Sequence, residues 1–216
     1  MKVALGLKAH SGWAALVALG ERNGELEVAE RSRIGLVEPS EAEWAKQPYH
    51  AAEGLEPEEA RQVVKRGIDC ARRIAARELK AAVARLGRAD HQVVACAVLV
   101  GTGMPDWSVD EILAVHFRMH KAEGELFRDV LVRAAEPCEL ALARVPEKQL
   151  DAHAAKALGA SAAALRTRLA ALGRSVGAPW GKDQKDAALA AWVALRGPAS
   201  SHPLDARGRG SRRSSP

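Results

Sequence analysis

The first third of the chain has the apolar pattern of antiparallel strands. Residues 3–19 (VALGLKAHSGWAALVAL) form two apolar runs around a turn at His10-Ser11-Gly12, and Asn23-Gly24 marks a second tight turn. In the run that follows, Leu26 and Val28 alternate with glutamates, which predicts a strand with one buried face. The chain is therefore predicted to begin with a three-stranded antiparallel meander.

The rest of the chain alternates helical and strand patterns. Residues 57–86 carry apolar side chains at helical spacing, and 92–101 (QVVACAVLVG) is typical of a central strand covered on both faces. A helical region is predicted from Ser108, an N-cap with Glu111 three residues on, to about 136, with an interruption near Gly124. The remaining predicted elements are a strand over 140–145 and helices over 148–158, 161–172 and 182–195.

This order, β-β-β-α-β-α-β-α(α)-α, predicts an α/β fold. We expect a mixed five-stranded sheet, in which the antiparallel meander is extended by parallel strands and helices cover both faces. Residues 1–197 are predicted to form one domain with a full hydrophobic core. Residues 38–56 are long for a plain connection and are interpreted as a lid or a binding loop.

The net charge would suit an acidic partner such as nucleic acid, but most of the excess lies in the C-terminal tail. The formal net charge is +5, but residues 201–216 contribute +3 of it, with four arginines against Asp205, so the body is near +2. Residues 198–216 are predicted to be a disordered basic tail rich in Arg, Gly and Ser.

The cysteines favour a reducing compartment. Cys70, Cys96 and Cys138 are an odd, widely spaced set, which indicates free thiols and predicts a cytoplasmic protein. No signal peptide and no membrane-spanning segment are predicted, so no membrane is expected as a partner. The pattern leaves both a monomer and a dimer open.

The first candidate site is the end of the first strand. Lys8 and Ser11 are predicted to contact the phosphate or carboxylate of a ligand, with His10 as an acid, a base or a ligand. Strand ends are where sites collect in such sheets. The alternative is an ordinary polar turn.

The second candidate site is a histidine pattern. His116, His120 and Glu123 stand at offsets of 0, 4 and 7, which places them on one face of a continuous helix. Two histidines with an acid are suited to Zn²⁺ or another transition metal. The alternative is an amphipathic helix whose histidines pack beside the core.

The element order resembles that of the ribonuclease H-like superfamily, and within it the Holliday-junction resolvase branch, over roughly 1–195. The local matches are Leu5-Gly6-Leu7 near the end of the first strand, the apolar fourth strand, and a last helix that contains Asp183 and Asp186. The resemblance implies clustered carboxylates that hold two divalent ions, Mg²⁺ or Mn²⁺, and hydrolyse the phosphodiesters of nucleic acid.

This sequence departs from the family's pattern at its first strand. The family carries an Asp just after the first apolar run, where this chain has Lys8, and only Asp106 comes close to the end of the fourth strand. The resemblance then implies Glu123, Asp183 and Asp186 as the metal ligands and catalytic carboxylates, with His10 orienting water. Acids in the first turn of a helix are also expected from the helix dipole alone.

Three functions follow from these patterns. The first is a divergent metal-dependent nuclease, and the second is a catalytically inactive protein of the same fold that binds nucleic acid or acts as a scaffold. The third is a small-molecule enzyme with a metal site at His116 and His120.

Overall fold

The computed structural model describes residues 1–197, so the predicted basic tail at 198–216 lies outside the described residues. The strands are β1 Lys2–His10, β2 Trp13–Arg22, β3 Glu25–Gly35, β4 Gln92–Val100 and β5 Ala141–Pro146. The α-helices are α1 Ala42–Ala45, α2 Pro48–Ala51, α3 Pro57–Arg88, α4 Val109–Leu113, α5 His116–Ala135, α6 Leu150–Leu158, α7 Ala162–Val176 and α8 Lys182–Arg196.

The strands form one mixed sheet in the order β3-β2-β1-β4-β5. The neighbours β1, β2 and β3 pair antiparallel, as in Leu7 opposite Leu16, whereas β4 is parallel to β1 and β5 is parallel to β4. The predicted fold class is confirmed: an antiparallel three-stranded meander is extended by parallel strands.

Helices cover both faces of the sheet, as predicted. On one face, Leu5 and Leu7 of β1 pack with α3 and α5, whose contributions include Leu79 and Phe127. On the other face, Val17 of β2 and Leu99 of β4 pack with α6, α7 and α8. Because successive residues of a strand point to opposite faces, the unbroken apolar runs of β2 and β4 supply both cores.

The segment at 38–56, interpreted from the sequence as a lid or a binding loop, contains short helices that pack on the domain. It contains α1 and α2, and Tyr49 and Ala52 are buried in a third, smaller core beside Met119 of α5. The break in the helical region 108–136 lies at Ala114 and Val115, not near Gly124. Val115 has an extended backbone, and an interior glycine weakens a helix without having to end it.

The predicted cap of α4 is present. The Ser108 hydroxyl accepts a hydrogen bond from the Glu111 amide at 3.2 Å, and the Glu111 carboxylate accepts one from the Ser108 amide at 2.8 Å. In the described part of the chain, none of the helices is long and apolar enough to cross a membrane.

Helix α8 lies directly on β1, and Gly6 makes this approach possible. A Cβ atom at Gly6 would lie 1.8 Å from the carbonyl oxygen of Ala187 and 2.9 Å from the amide nitrogen of Ala191. Both are backbone atoms of α8, so no side-chain rotation could relieve the overlap. The absence of a side chain at Gly6 therefore sets the distance between helix and sheet.

We predict that Gly6→Ala lowers the free energy of unfolding by at least about 2 kcal/mol, because overpacking here displaces backbone. Urea denaturation measures the change. Gly87→Ala is the matched control: it lies near the end of α3, where an added methyl group would project into open space, and should stabilise by up to about 1 kcal/mol. Equal effects at the two glycines would contradict this account of the helix–sheet contact.

Candidate functional site

Lys8 is a buried ammonium group near the carboxyl end of β1. The residue is 5% exposed, and its side chain is on the α8 face because Leu7 points into the opposite core. Its Nζ atom lies 2.8 Å from Asp186 Oδ2, 3.2 Å from Asp183 Oδ1 and 3.4 Å from Glu147 Oε1. One cation thus contacts three carboxylates.

The three carboxylates come from two places that the fold brings together. Asp183 and Asp186 stand three residues apart in α8, so both face the end of β1. Glu147 follows Pro146, the last residue of β5. Because β1, β4 and β5 are parallel, their carboxyl ends meet at the same edge of the sheet.

Three further cations surround these carboxylates. Arg166 Nη1 donates to Asp186 Oδ1 at 2.7 Å, Lys182 Nζ donates to Asp186 Oδ2 at 2.5 Å, and Arg128 Nη2 donates to Glu147 Oε2 at 2.9 Å. Arg166 also pairs with Asp151. The resulting Lys8 cluster has four cations and four carboxylates, which balance: Lys8, Arg128, Arg166, Lys182, Asp151, Asp183, Asp186 and Glu147.

The pairing keeps these groups ionised. Burial alone would raise the pKa of Asp186, but hydrogen bonds from Lys182, Lys8 and Arg166 lower it below its ordinary value. Burial also acts to raise the pKa of Glu147, and Arg128 and Lys8 outweigh it and lower that pKa. Burial acts to lower the pKa of Lys8, but the hydrogen bond and charge of Asp186 raise it.

His10 extends the cluster toward solvent. Its Nε2 atom lies 3.1 Å from Asp183 Oδ2, and its ring stacks on Trp13 with centroids 4.2 Å apart and planes 7° apart. The guanidinium of Arg33 lies 3.9 Å from the centroid of the same Trp13 ring. A row of β1, β2 and β3 side chains therefore forms the rim of the site.

A cavity of about 220 Å³ lies behind this rim. His10 and Ser11 line it from the β1–β2 turn, and Glu123, Phe127 and Arg128 line it from α5. The predicted residues His10, Ser11 and Glu123 all line this cavity.

Glu123 is 4% exposed and belongs to a different set of contacts from Asp183 and Asp186. Its Oε1 atom accepts hydrogen bonds from the amides of Tyr49 and His50, both at 3.1 Å, and its Oε2 atom lies 3.1 Å from His50 Nδ1. Within residues 1–197 no hydrogen bond or ion pair joins Glu123 to the Lys8 cluster. His116 and His120 lie near His50 instead.

The structure thus divides the predicted site residues into two groups. Lys8, His10, Asp183 and Asp186 come together, whereas Glu123, His116 and His120 form the second group. Sequence reasoning missed Glu147, although an acid directly after a parallel strand was a signal for it. It also missed four residues that only the tertiary fold brings to these groups: His50, Arg128, Arg166 and Lys182.

Comparisons with known proteins add a likeness of fold. No protein-family model and no curated protein matches this sequence. The structure is similar to that of Thermus thermophilus RuvC, with a TM-score of 0.43 and 16% identity over 88% of this chain and 92% of that chain. It is also similar to T. thermophilus RuvC in complex with a Holliday junction substrate, with a TM-score of 0.45 and 13% identity over 89% and 92%. Values this low carry no inference about function.

We predict that Lys8→Met lowers the free energy of unfolding by about 3 kcal/mol, because it leaves buried carboxylates without their shared cation. Urea denaturation at neutral pH measures the loss. Lys65→Met is the matched control, because Lys65 pairs with Asp69 on the surface of α3 and should change stability by less than about 1 kcal/mol. Similar losses in both variants would contradict a special role for Lys8.

Acid should weaken the protein through the same contacts. The pKa values of Asp186 and Glu147 are lowered by folding from ordinary values of 3.8 and 4.5, so their contribution is complete above about pH 4.5 and is lost as the pH falls through the folded values. Lys8→Met should raise the pKa values of Asp186 and Glu147 in the folded protein, so the variant should lose less stability as the pH falls. Unfolding free energies measured from neutral to acid pH should therefore converge for the two proteins, and a constant difference would contradict the coupling.

Proposed function

We propose that this protein is a ribonuclease H-like nucleic-acid-binding protein that does not hydrolyse phosphodiesters. The observation that carries the proposal is the contact of Lys8 Nζ with Asp183, Asp186 and Glu147, all within 3.4 Å. In this proposal Lys8 stands where the family has its first-strand Asp, and its ammonium group takes the place of the metal ions.

The Lys8 cluster does not fit Mg²⁺ or Mn²⁺. Mg²⁺ requires oxygen ligands at about 2.0–2.1 Å in near-octahedral geometry, and a lysine supplies none. The same carboxylate oxygens already accept hydrogen bonds from Lys8, Arg128, Arg166 and Lys182. A divalent cation would have to displace the ammonium and then face the three remaining cations, so we derive no hydrolytic step from this cluster.

The rim of the site supports binding of an anion. Arg33 and Lys46 are exposed, and neither has a carboxylate within 4.0 Å in the described part of the chain. The Lys46 stem lies over Gly12 of the β1–β2 turn, because a Cβ there would be 2.7 Å from Lys46 Cγ. The side chain of Lys182 at the start of α8 is 79% exposed but is already paired with Asp186, so Arg33 and Lys46 are the cations that this proposal uses.

Nucleic acid fits these groups better than a single small anion. Cations without acidic partners, spread across a sheet edge, can each neutralise one phosphate of a continuous backbone. The guanidinium of Arg33 is held over Trp13, which fixes its plane for bidentate phosphate contact or for stacking on a base. The basic charge of residues 201–216 would add further phosphate contacts.

We predict salt-sensitive binding of branched, duplex or single-stranded DNA that persists in EDTA. Arg33→Glu combined with Lys46→Glu should weaken binding and reduce the slope of log affinity against log salt by about 1 for each lost phosphate contact. Fluorescence anisotropy over a range of salt concentrations measures both quantities.

The matched control is Arg88→Glu. Arg88 is an exposed arginine at the end of α3, beside the start of β4 and therefore at the opposite edge of the sheet, so this change should leave the slope nearly unaltered. Binding to none of the three DNA forms would contradict the proposal. Cleavage in Mg²⁺ or Mn²⁺ that is abolished by Asp186→Ala would also contradict it and would identify a divergent nuclease.

A further inference from the structure

Three histidines from two separate parts of the sequence converge on the outer side of α5. His50 comes from α2, and His116 and His120 come from the first two turns of α5. Their ring centroids are 4.7–5.2 Å apart, and one potential ligand atom from each lies within 4.8 Å of the others. We call this group the histidine cluster.

The closest pair in the histidine cluster has the spacing of two ligands on one ion. His116 Nε2 and His120 Nε2 are 3.1 Å apart. Two nitrogens at this separation, each about 2.05 Å from a metal, subtend an angle of about 100°, which is near the tetrahedral value that Zn²⁺ prefers.

Carboxylates face the opposite nitrogens of two of the rings. Glu123 Oε2 lies 3.1 Å from His50 Nδ1, and Glu53 Oε1 lies 3.7 Å from His116 Nδ1. A carboxylate on the far nitrogen of a metal-bound histidine orients the ring and makes it a stronger ligand. Glu123 is itself held by the amides of Tyr49 and His50, which keeps its carboxylate beside the His50 ring.

Burial of the imidazoles does not explain the convergence. His116 and His120 are exposed, and the side chain of His116 is 62% accessible, so packing gives these rings little stabilisation. The buried member of the arrangement is Glu123, a charged group whose contacts all aim at α2. Glu123 thereby holds α2, which carries His50, against α5.

We propose that His50, His116 and His120 bind a divalent transition metal of the Zn²⁺ type through their Nε2 atoms. The metal joins α2 to α5, and its fourth coordination position faces solvent, where a water molecule or a ligand completes the tetrahedron. Imidazole nitrogens suit Zn²⁺, Ni²⁺ and Cu²⁺ rather than Mg²⁺, so this site differs in chemistry from the Lys8 cluster. The proposal does not depend on nucleic-acid binding.

Isothermal titration of chelator-treated full-length protein with Zn²⁺ tests the site. We expect one ion per chain, with His116→Ala and His120→Ala each weakening binding at least about 100-fold, more than the loss expected for an outer-sphere partner. Both residues are exposed, so these variants should fold. His153→Ala is the matched control, because His153 is an exposed histidine on α6 outside the cluster and its loss should leave binding unchanged.

Two further measurements separate this site from other ways of binding a metal. Co²⁺ should give a tetrahedral visible spectrum without a thiolate charge-transfer band, which distinguishes the histidines from Cys70 and Cys138. Zn²⁺ should slow hydrogen exchange at residues 49–53 in the wild type and not in His120→Ala. No stoichiometric binding, binding equal in His120→Ala and wild type, a thiolate spectrum, or unchanged exchange would overturn the proposal.

Discussion

The burial of the Lys8 ammonium group is the constraint on which the site depends. A charged group nearly removed from water is tolerated only when opposite charges and hydrogen bonds replace its hydration. Here the replacement comes from Asp183 and Asp186 on α8 and from Glu147 after β5. The ends of β1, β5 and α8 therefore have to meet, and Gly6 allows α8 the close approach that this requires.

The buried carboxylates also need partners of opposite charge. Asp186 is as buried as Lys8, and its two oxygens accept from Lys8, Lys182 and Arg166. Arg166 links this centre to α7, and Arg128 links Glu147 to α5. Each charged group in the cluster has at least one partner of opposite sign, so the charges balance. Removing one member leaves an unpaired charge, and adding a divalent cation leaves an excess of positive charge.

A second buried charge organises the segment at 38–56. Glu123 accepts hydrogen bonds from the amides of Tyr49 and His50 at the start of α2. These amides have no hydrogen-bond acceptor within the helix itself, because they belong to its first turn. This contact attaches α2 to α5 and closes one side of the cavity that His10 and Ser11 line from the opposite side. The segment is thereby a packed part of the domain, and the site has walls from both the sheet and α5.

The sequence predicted those parts that depend on local pattern. Lys8 and His10 were predicted as one site at the end of the first strand, and Asp183 and Asp186 were placed in the last helix by its apolar pattern. The sequence could not predict that His50 lies beside His116, because 66 residues separate them and the segment around His50 has no clear hydrophobic periodicity. Arg166 was missed for a related reason: arginines are common on exposed helix faces, and only the packing of α7 on α8 shows which one reaches Asp186.

The Lys8 cluster disfavours a bound metal ion, whereas the histidine cluster favours one. In the Lys8 cluster the ligands that a hard cation needs are present, but their charge is already balanced and their lone pairs are directed at ammonium and guanidinium groups. The histidine cluster offers imidazole nitrogens, which suit a softer ion. The carboxylates at the sheet edge are therefore partners of a lysine, while within residues 1–197 three histidine side chains converge with metal-ligand spacing on the outer side of α5. If activity measurements find a metal requirement, we expect substitutions of His116 and His120 to abolish it. Substitutions that leave the net charge of the Lys8 cluster at zero should not change it.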